Sequence, residues 1–336
     1  MKAIWFTGPG KAEVVQMDQP LPGAGEVLVK LVVSSISPGT ERANLVGERY
    51  VSPNPDKCKE VRWPRTAGYS SSGVVEAVGE GVTTVKPGDR VAMSWSKHQE
   101  YVCLAESRVY KIEDDNVSFE EAALWHIGTF PIAAIRKCRL ELGESAIVMG
   151  QGILGQFAVV YLKAAGACPI IAVDPVPEKR EMALKIGADY ALDPYAPDFV
   201  ETVKKITGGG AAVAIEVTGI GKGLDQVLDC MKQFGRVALL GCTRNSDFTI
   251  NYYNKVHGPG ITLIGAHTYA RPKVESHGGW WTEVDDIKAQ MVLHAYGRVC
   301  LSQLVEETFS PDEAPEVYKR LAENKSFPIA QFDWRK

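Results

Sequence analysis

The stretch SAIVMGQGILGQFAVVYLKAAGACPIIAVD, Ser145 to Asp174, constrains the fold of this chain more than any other. Ala146 to Met149 is a short apolar run that reads as a buried strand. Gly150, Gly152 and Gly155 follow in GxGxxG spacing, Ile153 to Ala165 is apolar and helix-prone, and Gly166 is placed to end that helix. A second apolar run, Pro169 to Val173, ends at Asp174, 19 residues past Gly155. Strand, tight turn, helix, strand and acidic end are the parts of a dinucleotide-binding βαβ unit. Gly150 permits the turn out of the strand, Gly152 keeps side-chain atoms away from a pyrophosphate, and Gly155 lets helix and strand pack closely. Ile153 and Leu154 open the helix, whose unpaired N–H groups and partial positive charge suit phosphates. Asp174 can accept hydrogen bonds from both hydroxyls of an adenosine ribose and repels a 2′-phosphate, so NAD(H) is expected in preference to NADP(H). Lys179 is a further cofactor candidate, although on a helix it and Arg180 are expected to face solvent.

The rest of the chain arranges itself around this unit. Residues 1–118 read as short strands separated by glycine-bearing turns, which suggests a small barrel-like domain. Ser118 and Glu121 form a capping-box pattern, after which strand and helix alternate. Strand starts at Ala146, Pro169, Tyr190, Ala211, Arg236 and Ile261 give six, the count of a doubly wound Rossmann sheet. The tail does not continue the alternation. It holds an aromatic loop, HGGWW (His277 to Trp281), a helix from Glu283 to Ala295, a strand near Val305 to Phe309, a Ser310-capped helix and a final strand. The expected domains are 119–267 for the dinucleotide and a discontinuous β-rich domain of 1–118 with 268–336.

Composition excludes several alternatives. The 336 residues suffice for two domains, and 45% hydrophobic with 23% charged residues is ordinary for a soluble globular protein. A net charge of −4 gives no reason to expect nucleic acid or an anionic membrane as a partner. No apolar run reaches the roughly 18 residues that span a bilayer. MKAIWFTGPGKAEVV, broken by Gly8, Pro9 and Gly10, lacks the apolar core of a signal peptide, so a cytoplasmic location is expected. Cys58, Cys103, Cys138, Cys168, Cys230, Cys242 and Cys300 are odd in number, scattered and without a CxxC, which argues against a compact zinc lobe and a disulfide framework.

The chain resembles the medium-chain dehydrogenase/reductase superfamily, the group of zinc alcohol dehydrogenases and zinc-free quinone reductases. The resemblance rests on AIVMGQGILGQ, on VVEAVGEGVTTVKPGDRVA (Val74 to Ala92), and on EVTG and GRVALLG near Thr218 and Gly241. It implies a GroES-like barrel domain beside the Rossmann domain, and cofactor contacts at Thr218 and Gly241. SISPGTE (Ser35 to Glu41) is most similar to a branch of zinc-binding or bacteriochlorophyllide-type dehydrogenases.

The departures from that pattern bear on chemistry. Where zinc members carry their three ligands, this chain has Ser37 or Pro38, then Tyr69 in Gly68-Tyr69-Ser70, then His126 in WHIGT. The four-cysteine lobe is missing, with SKHQEYVC in its neighbourhood. Catalytic zinc needs three N, S or carboxylate ligands, and protonated serine and tyrosine oxygens are poor ones, so zinc is not expected. Without it, hydrogen-bond donors must manage the substrate oxygen, and the resemblance places Ser37, Thr40, Tyr69 and His126 around that point. An imidazole can exchange a proton near neutral pH and a phenol can donate to a carbonyl oxygen. Each also has a packing reading, His126 beside Trp125 and Tyr69 as a wall residue. The resemblance implies that Glu41 supports orientation more than ligation, and it could equally pair with Arg42 or another cation inside the barrel domain. His257, His267, His277 and His294, spaced 10, 10 and 17 apart, fit no single helix face; His267 ends the sixth strand, where open α/β sheets place ligands. The HGGWW loop could wall a substrate site or merely cap the domain.

These features favour a zinc-independent NAD(H) oxidoreductase acting on a small alcohol, aldehyde or ketone. The alternatives are a zinc alcohol or polyol dehydrogenase with an atypical ligand set, and a catalytically idle dinucleotide-binding protein. The sixth strand, ITLIGAH, would lie at a sheet edge that invites pairing with another chain, so a homodimer is expected.

Overall fold

The computed structural model describes residues 1–52, 60–246, 248–324 and 326–336. In chain order its elements begin with β1 (Lys2–Gly8), β2 (Lys11–Gln16), β3 (Glu26–Ser35), α1 (Pro38–Val46), β4 (Arg65–Thr66), β5 (Ser70–Val78), β6 (Arg90–Ser94), β7 (Tyr101–Ala105) and β8 (Val109–Lys111). There follow α2 (Phe119–Ala122), α3 (Trp125–Lys137), β9 (Ala146–Met149), α4 (Ile153–Ala164), β10 (Ile170–Val173), α5 (Pro177–Ile186), β11 (Tyr190–Leu192), α6 (Phe199–Thr207), β12 (Ala211–Glu216) and α7 (Gly221–Asp229). The last are β13 (Met231–Leu239), β14 (Thr262–Gly265), α8 (Glu283–Ala295), β15 (Glu307–Phe309), α9 (Ala314–Glu323) and β16 (Ala330–Asp333). They form two compact units, Met1–Ile127 with Cys300–Lys336, and Gly128–Val299.

The second unit is built on six parallel strands in the order β11-β10-β9-β12-β13-β14. From β9 the chain steps outward to β11, then returns to the other side of β9 and steps outward again. This is the doubly wound order, with its reversal between β9 and β12. Strands β9, β10 and β12 are buried at every residue, as runs of Ala, Ile, Val and Met in a parallel sheet must be, and β12 ends in the buried Glu216. β13 begins at Met231 instead of the expected Arg236. Its register shifts between Ala211 and Val213, and Phe234 there has φ 63°, so the first residues lie outside the regular ladder.

This unit, Gly128–Val299, both begins and ends later than the 119–267 expected from the alternation of strand and helix. Helix α8 belongs with the parallel sheet because buried polar pairs hold it. Tyr161 of α4 donates to Gln290 at 2.5 Å, and Arg136 of α3 meets the fully buried Asp286 at 2.8 Å.

The first unit holds a sheet in the order β15-β16-β3-β5-β6-β8, with β7 also on β3, and a three-stranded sheet β2-β1-β4. β16 pairs antiparallel with β3 and β15 parallel with β16, so the returning tail shares the sheet of the N-terminal residues. The fold class is thus the expected one, a Rossmann sheet plus a β-rich GroES-like unit.

One local expectation fails. Ser118 accepts from the Glu121 amide at 3.0 Å, but the Glu121 carboxylate does not bond back to Ser118; it accepts from the amide of Ser302 at 2.6 Å. The reciprocal capping box occurs at Ser310 and Glu313. Among the described residues no helix is long and apolar enough to cross a membrane. Cys138 and Cys230 are buried, which pushes both thiols up to about 12, while Cys58 lies outside the described residues.

Candidate active site

In the second unit the fingerprint glycines do different work. Gly150 leaves β9 with φ 98°, in the left-handed region. A Cβ on Gly155 would stand 1.9 Å from the Gly150 carbonyl oxygen, so only glycine lets α4 meet the turn that closely. A Cβ on Gly152 would meet nothing within 4 Å. That empty space lies at the N-terminus of α4, where Gly152 caps without a side chain and the first amides are unpaired. Ile153 is buried beneath the turn and Leu154 is half-buried. A pyrophosphate fits this cradle, since both the room and the donors are present.

Asp174, 7% exposed, is fixed by the loop it serves. One carboxylate oxygen accepts from the Gln151 amide at 2.8 Å and the other from the Val176 amide at 2.9 Å. Each oxygen keeps capacity for a further donor. Lys179 is half-buried on α5. Arg180 does not face solvent as expected: its guanidinium folds back to the Asp174 carbonyl at 2.7 Å and lies 3.7 Å from Asp193.

Across the strand reversal stands the loop after β12. Glu216, buried, accepts from the amides of Thr218 (2.8 Å) and Gly219 (3.2 Å) and from the Thr218 hydroxyl; burial pushes its carboxyl above the usual range. The Thr218 hydroxyl is therefore committed to the loop, and its methyl carbon is what a Cβ on Gly150 would meet, at 3.0 Å. Gly241 has a packing reason to be glycine: a Cβ there would lie 2.3 Å from the Gly219 amide nitrogen. His267, two residues past β14, accepts at Nδ1 from the Tyr269 amide at 3.2 Å, and burial lowers its pKa.

In the first unit, Ser37, Tyr69 and His126 come together from three distant stretches. Ser37 precedes Pro38 at the N-terminus of α1 but does not cap it with its side chain. Its Oγ instead accepts from the Tyr69 hydroxyl. The Tyr69 ring meets the His126 imidazole edge-on at 5.6 Å, and Trp95 closes the group, 4.8 Å from His126 and 6.0 Å from Tyr69. Ser37 and His126 are buried, whereas Tyr69 and Trp95 are half-buried and so offer the group to a ligand. Thr40, a half-buried residue of α1, is not joined to them by any described contact.

Serines dock the segment that carries His126. Ser35 and Ser70 both donate to the Ala123 carbonyl, at 2.9 and 2.6 Å, and Ser72 donates to that of Phe119 at 2.6 Å. Gln331 of the returning β16 adds a bond to the Glu120 carbonyl at 2.7 Å. The serine runs in VVSSIS and YSSSG thus act as fasteners for the chain leading into α3.

Glu41 sits behind Ser37. One of its oxygens accepts from the Ser37 amide at 2.8 Å, and the other from His98 Nε2 at 3.1 Å and the Tyr318 hydroxyl at 2.5 Å. It does not pair with Arg42, which donates to the Ala322 carbonyl. Trp334 Nε1 can only donate, so Ser34 Oγ accepts it at 2.9 Å, and the same hydroxyl is hydrogen-bonded to His98 Nδ1 at 2.7 Å. Gly68, φ 81°, brings the chain past this network, since a Cβ there would lie 2.8 Å from the His98 amide nitrogen.

Trp95 and His98 escape a reading of sequence. Trp95 has φ 57°, unusual for a bulky residue, and such strain tends to collect at functional positions. The donor set does not suit a tetrahedral zinc. Of the three matched positions only His126 offers a competent ligand; Ser37 and Tyr69 are hydrogen-bonded hydroxyls, and Glu41 is engaged by the Ser37 amide, His98 and Tyr318.

Two family models match this chain, the alcohol dehydrogenase GroES-like domain over residues 23–160 and the zinc-binding dehydrogenase over residues 154–278. L-threonine 3-dehydrogenase of Pyrococcus horikoshii is 30% identical over 295 residues, covering 79% of this chain and 82% of the relative. The crystal structure of 2R,3R-butanediol dehydrogenase from Bacillus subtilis aligns with a TM-score of 0.82 at 25% identity, over 99% of each chain. A short chain alcohol dehydrogenase from Escherichia coli CFT073, complexed with NADH, shares the fold at a TM-score of 0.83 and 18% identity, again over 99% of each chain. With this sequence similarity, and with the parallel sheet and glycine turn described above, the chain belongs to the medium-chain dehydrogenase/reductase superfamily of zinc alcohol dehydrogenase-like proteins and is an oxidoreductase acting on alcohol groups.

Proposed function

We propose that this protein is an NAD(H)-dependent oxidoreductase that interconverts a small alcohol and its aldehyde or ketone, with Tyr69 and Ser37 handling the proton of the substrate oxygen in place of catalytic zinc. The observation that carries this reading is the Tyr69 hydroxyl bonded to Ser37 Oγ, at Tyr69 and beside Pro38 where the family resemblance matches two zinc-ligand positions. A bound nicotinamide supplies the hydride acceptor or donor. The chain's own residues must orient the substrate and balance the charge on its oxygen. The Tyr69 hydroxyl donates to Ser37 Oγ, so in reduction Ser37 gives its own proton to the substrate oxygen and takes that of Tyr69, and in oxidation the relay runs in reverse. Glu41 steadies this pair through the Ser37 amide. His126 and Trp95 wall the site, and Tyr69, half-buried, is the end of the hydroxyl pair within reach of solvent.

The family model over residues 154–278 is described as a zinc-binding dehydrogenase, so metal content is the decisive test. Tag-free protein would be assayed for NADH turnover against a panel of carbonyl compounds, with and without chelator, and analysed for metal. Chelator-resistant turnover supports the reading. One zinc per chain together with chelator-sensitive turnover overturns it, and absence of any turnover favours an idle dinucleotide-binding protein.

The fixed carboxylate of Asp174 favours NAD(H), with the Gly150–Gly155 turn, Lys179 and the Thr218, Gly241 and His267 segments as its surroundings. NADPH binding tighter than NADH in a fluorescence titration reverses that assignment. The names of relatives, which act on threonine or butanediol, support a small alcohol as substrate. A homodimer is also proposed. It is supported by β14, which pairs with β13 alone and leaves one edge open; a monomeric mass by light scattering would exclude it.

A further inference from the structure

The HGGWW segment has no part in the reaction above, yet the second unit builds a cavity with it. His277 and Trp280 exchange backbone bonds of 2.8 Å in both directions, closing a tight turn through Gly278 and Gly279. Ser276 fastens the base of that turn, accepting from the Thr282 amide at 2.9 Å and donating to Asp285. The two tryptophans then part company: Trp280 lies over Lys137 and Trp281 lies 3.5 Å from the Arg136 guanidinium. Trp281 thereby forms one wall of a cavity of about 1060 Å³ between α3, α4 and α8. Ile132, Ile135, Ala164, Ala289 and Leu293 supply apolar lining. That size is at the upper end of the roughly 300–1,000 Å³ typical of small-molecule sites.

The charges around the cavity differ in their commitments. Asp285 is held by Ser276 and Thr282, which keep its carboxyl below the usual range, and Arg136 is held by Asp286. Arg139 and Lys288 also line the cavity, both exposed, and among the described residues neither side chain forms an ion pair. Arg139 is held at the end of α3 with φ 47°, a conformation that costs a non-glycine residue. Lys288 is within electrostatic reach of Asp285, whose carboxylate is already bonded to Ser276 and Thr282, and Arg139 is outside any described ion pair. An apolar cavity with one aromatic wall and these two cations is complementary to an amphipathic anion. We propose that this cavity binds a small monocarboxylate with an aromatic or short aliphatic body, its carboxylate on Arg139 and Lys288 and its body against Trp281 and Ala289. The site is separate from the glycine turn and independent of the reaction assigned above.

The test is calorimetric titration of octanoate into the full-length protein saturated with NADH. Saturable binding of one octanoate per chain is expected. The exposed pair R139E/K288E should weaken it by about tenfold or more, as should replacing octanoate with 1-octanol, because each removes the charge-assisted bonds. Ala289→Trp should abolish it by filling the chamber. Failure to saturate, equal binding of 1-octanol, or indifference to both variants would each overturn the proposal. R139E/K288E changes only exposed side chains, so it serves even if Ala289→Trp fails to fold.

Discussion

Between Gly150 and Gly155 a binding surface is made by leaving atoms out; around Tyr69 one is made by bringing side chains in. The first needs backbone amides, a helix N-terminus and room, and all of these come from one contiguous stretch. The second needs Ser37, Tyr69, Trp95 and His126, which reach one another only after β3, β5, β6 and the approach to α3 have packed. The two should therefore fail differently. Substitution in the turn is opposed by sterics and damages fold and cofactor binding together. Substitution in the cluster leaves room for a near-isosteric replacement and damages chemistry alone.

The largest effect is expected at Tyr69. Tyr69→Phe keeps the ring against His126 and removes the donor, so kcat should fall by about 10²–10⁴-fold with NADH affinity retained. Steady-state kinetics showing only a raised KM would make Tyr69 a wall. Next comes Glu41→Ala, which strands the Ser37 amide, His98 and Tyr318; chemical denaturation should show a loss of about 3–5 kcal/mol. A loss well under 1 kcal/mol would mean the network relaxes freely. Gly155→Ala should cost about 1–3 kcal/mol and weaken NADH, because its methyl meets the Gly150 carbonyl. Wild-type NADH affinity in that variant would remove the contrast between the two regions.

A further effect concerns pH. Burial, reinforced by Arg271, lowers the Lys137 amine to about 8 from 10.5. Below pH 8 the folded protein carries an ammonium that it disfavours. Between pH 8 and 10.5 the unfolded chain binds more protons than the folded one, so this group makes stability rise with pH across that window. Thermal melts of wild type and Lys137→Met, compared from pH 7.5 upward, should converge in slope below pH 8 and diverge above it. Parallel curves throughout would show an ordinary surface lysine.

Legibility in the sequence followed the range of the interactions. Five of the six strand starts in the parallel sheet fall within a residue of expectation, because apolar runs and glycine stops are local signals. β13 is the exception, since its early residues answer to Pro259 and Ala211 from elsewhere in the chain. Ser118 and Glu121 show the same limit: the spacing is right for a capping box, but Ser302 competes for the carboxylate. Ser37, Tyr69 and His126 could be grouped only through family resemblance. Trp95 and His98 gave no signal, and Glu41, thought able to pair with Arg42, proved to serve Ser37 and His98.

The sequence by itself determined the dinucleotide turn and the six strands alternating with helices around it, because steric exclusion and apolar periodicity act between near neighbours. Tertiary structure alone decided that Tyr69 reaches Ser37, that Trp95 closes over His126, and that HGGWW walls a cavity. Those outcomes depend on side chains meeting across strands and helices, where hydrogen-bond partners are chosen by the finished packing and not by spacing along the chain.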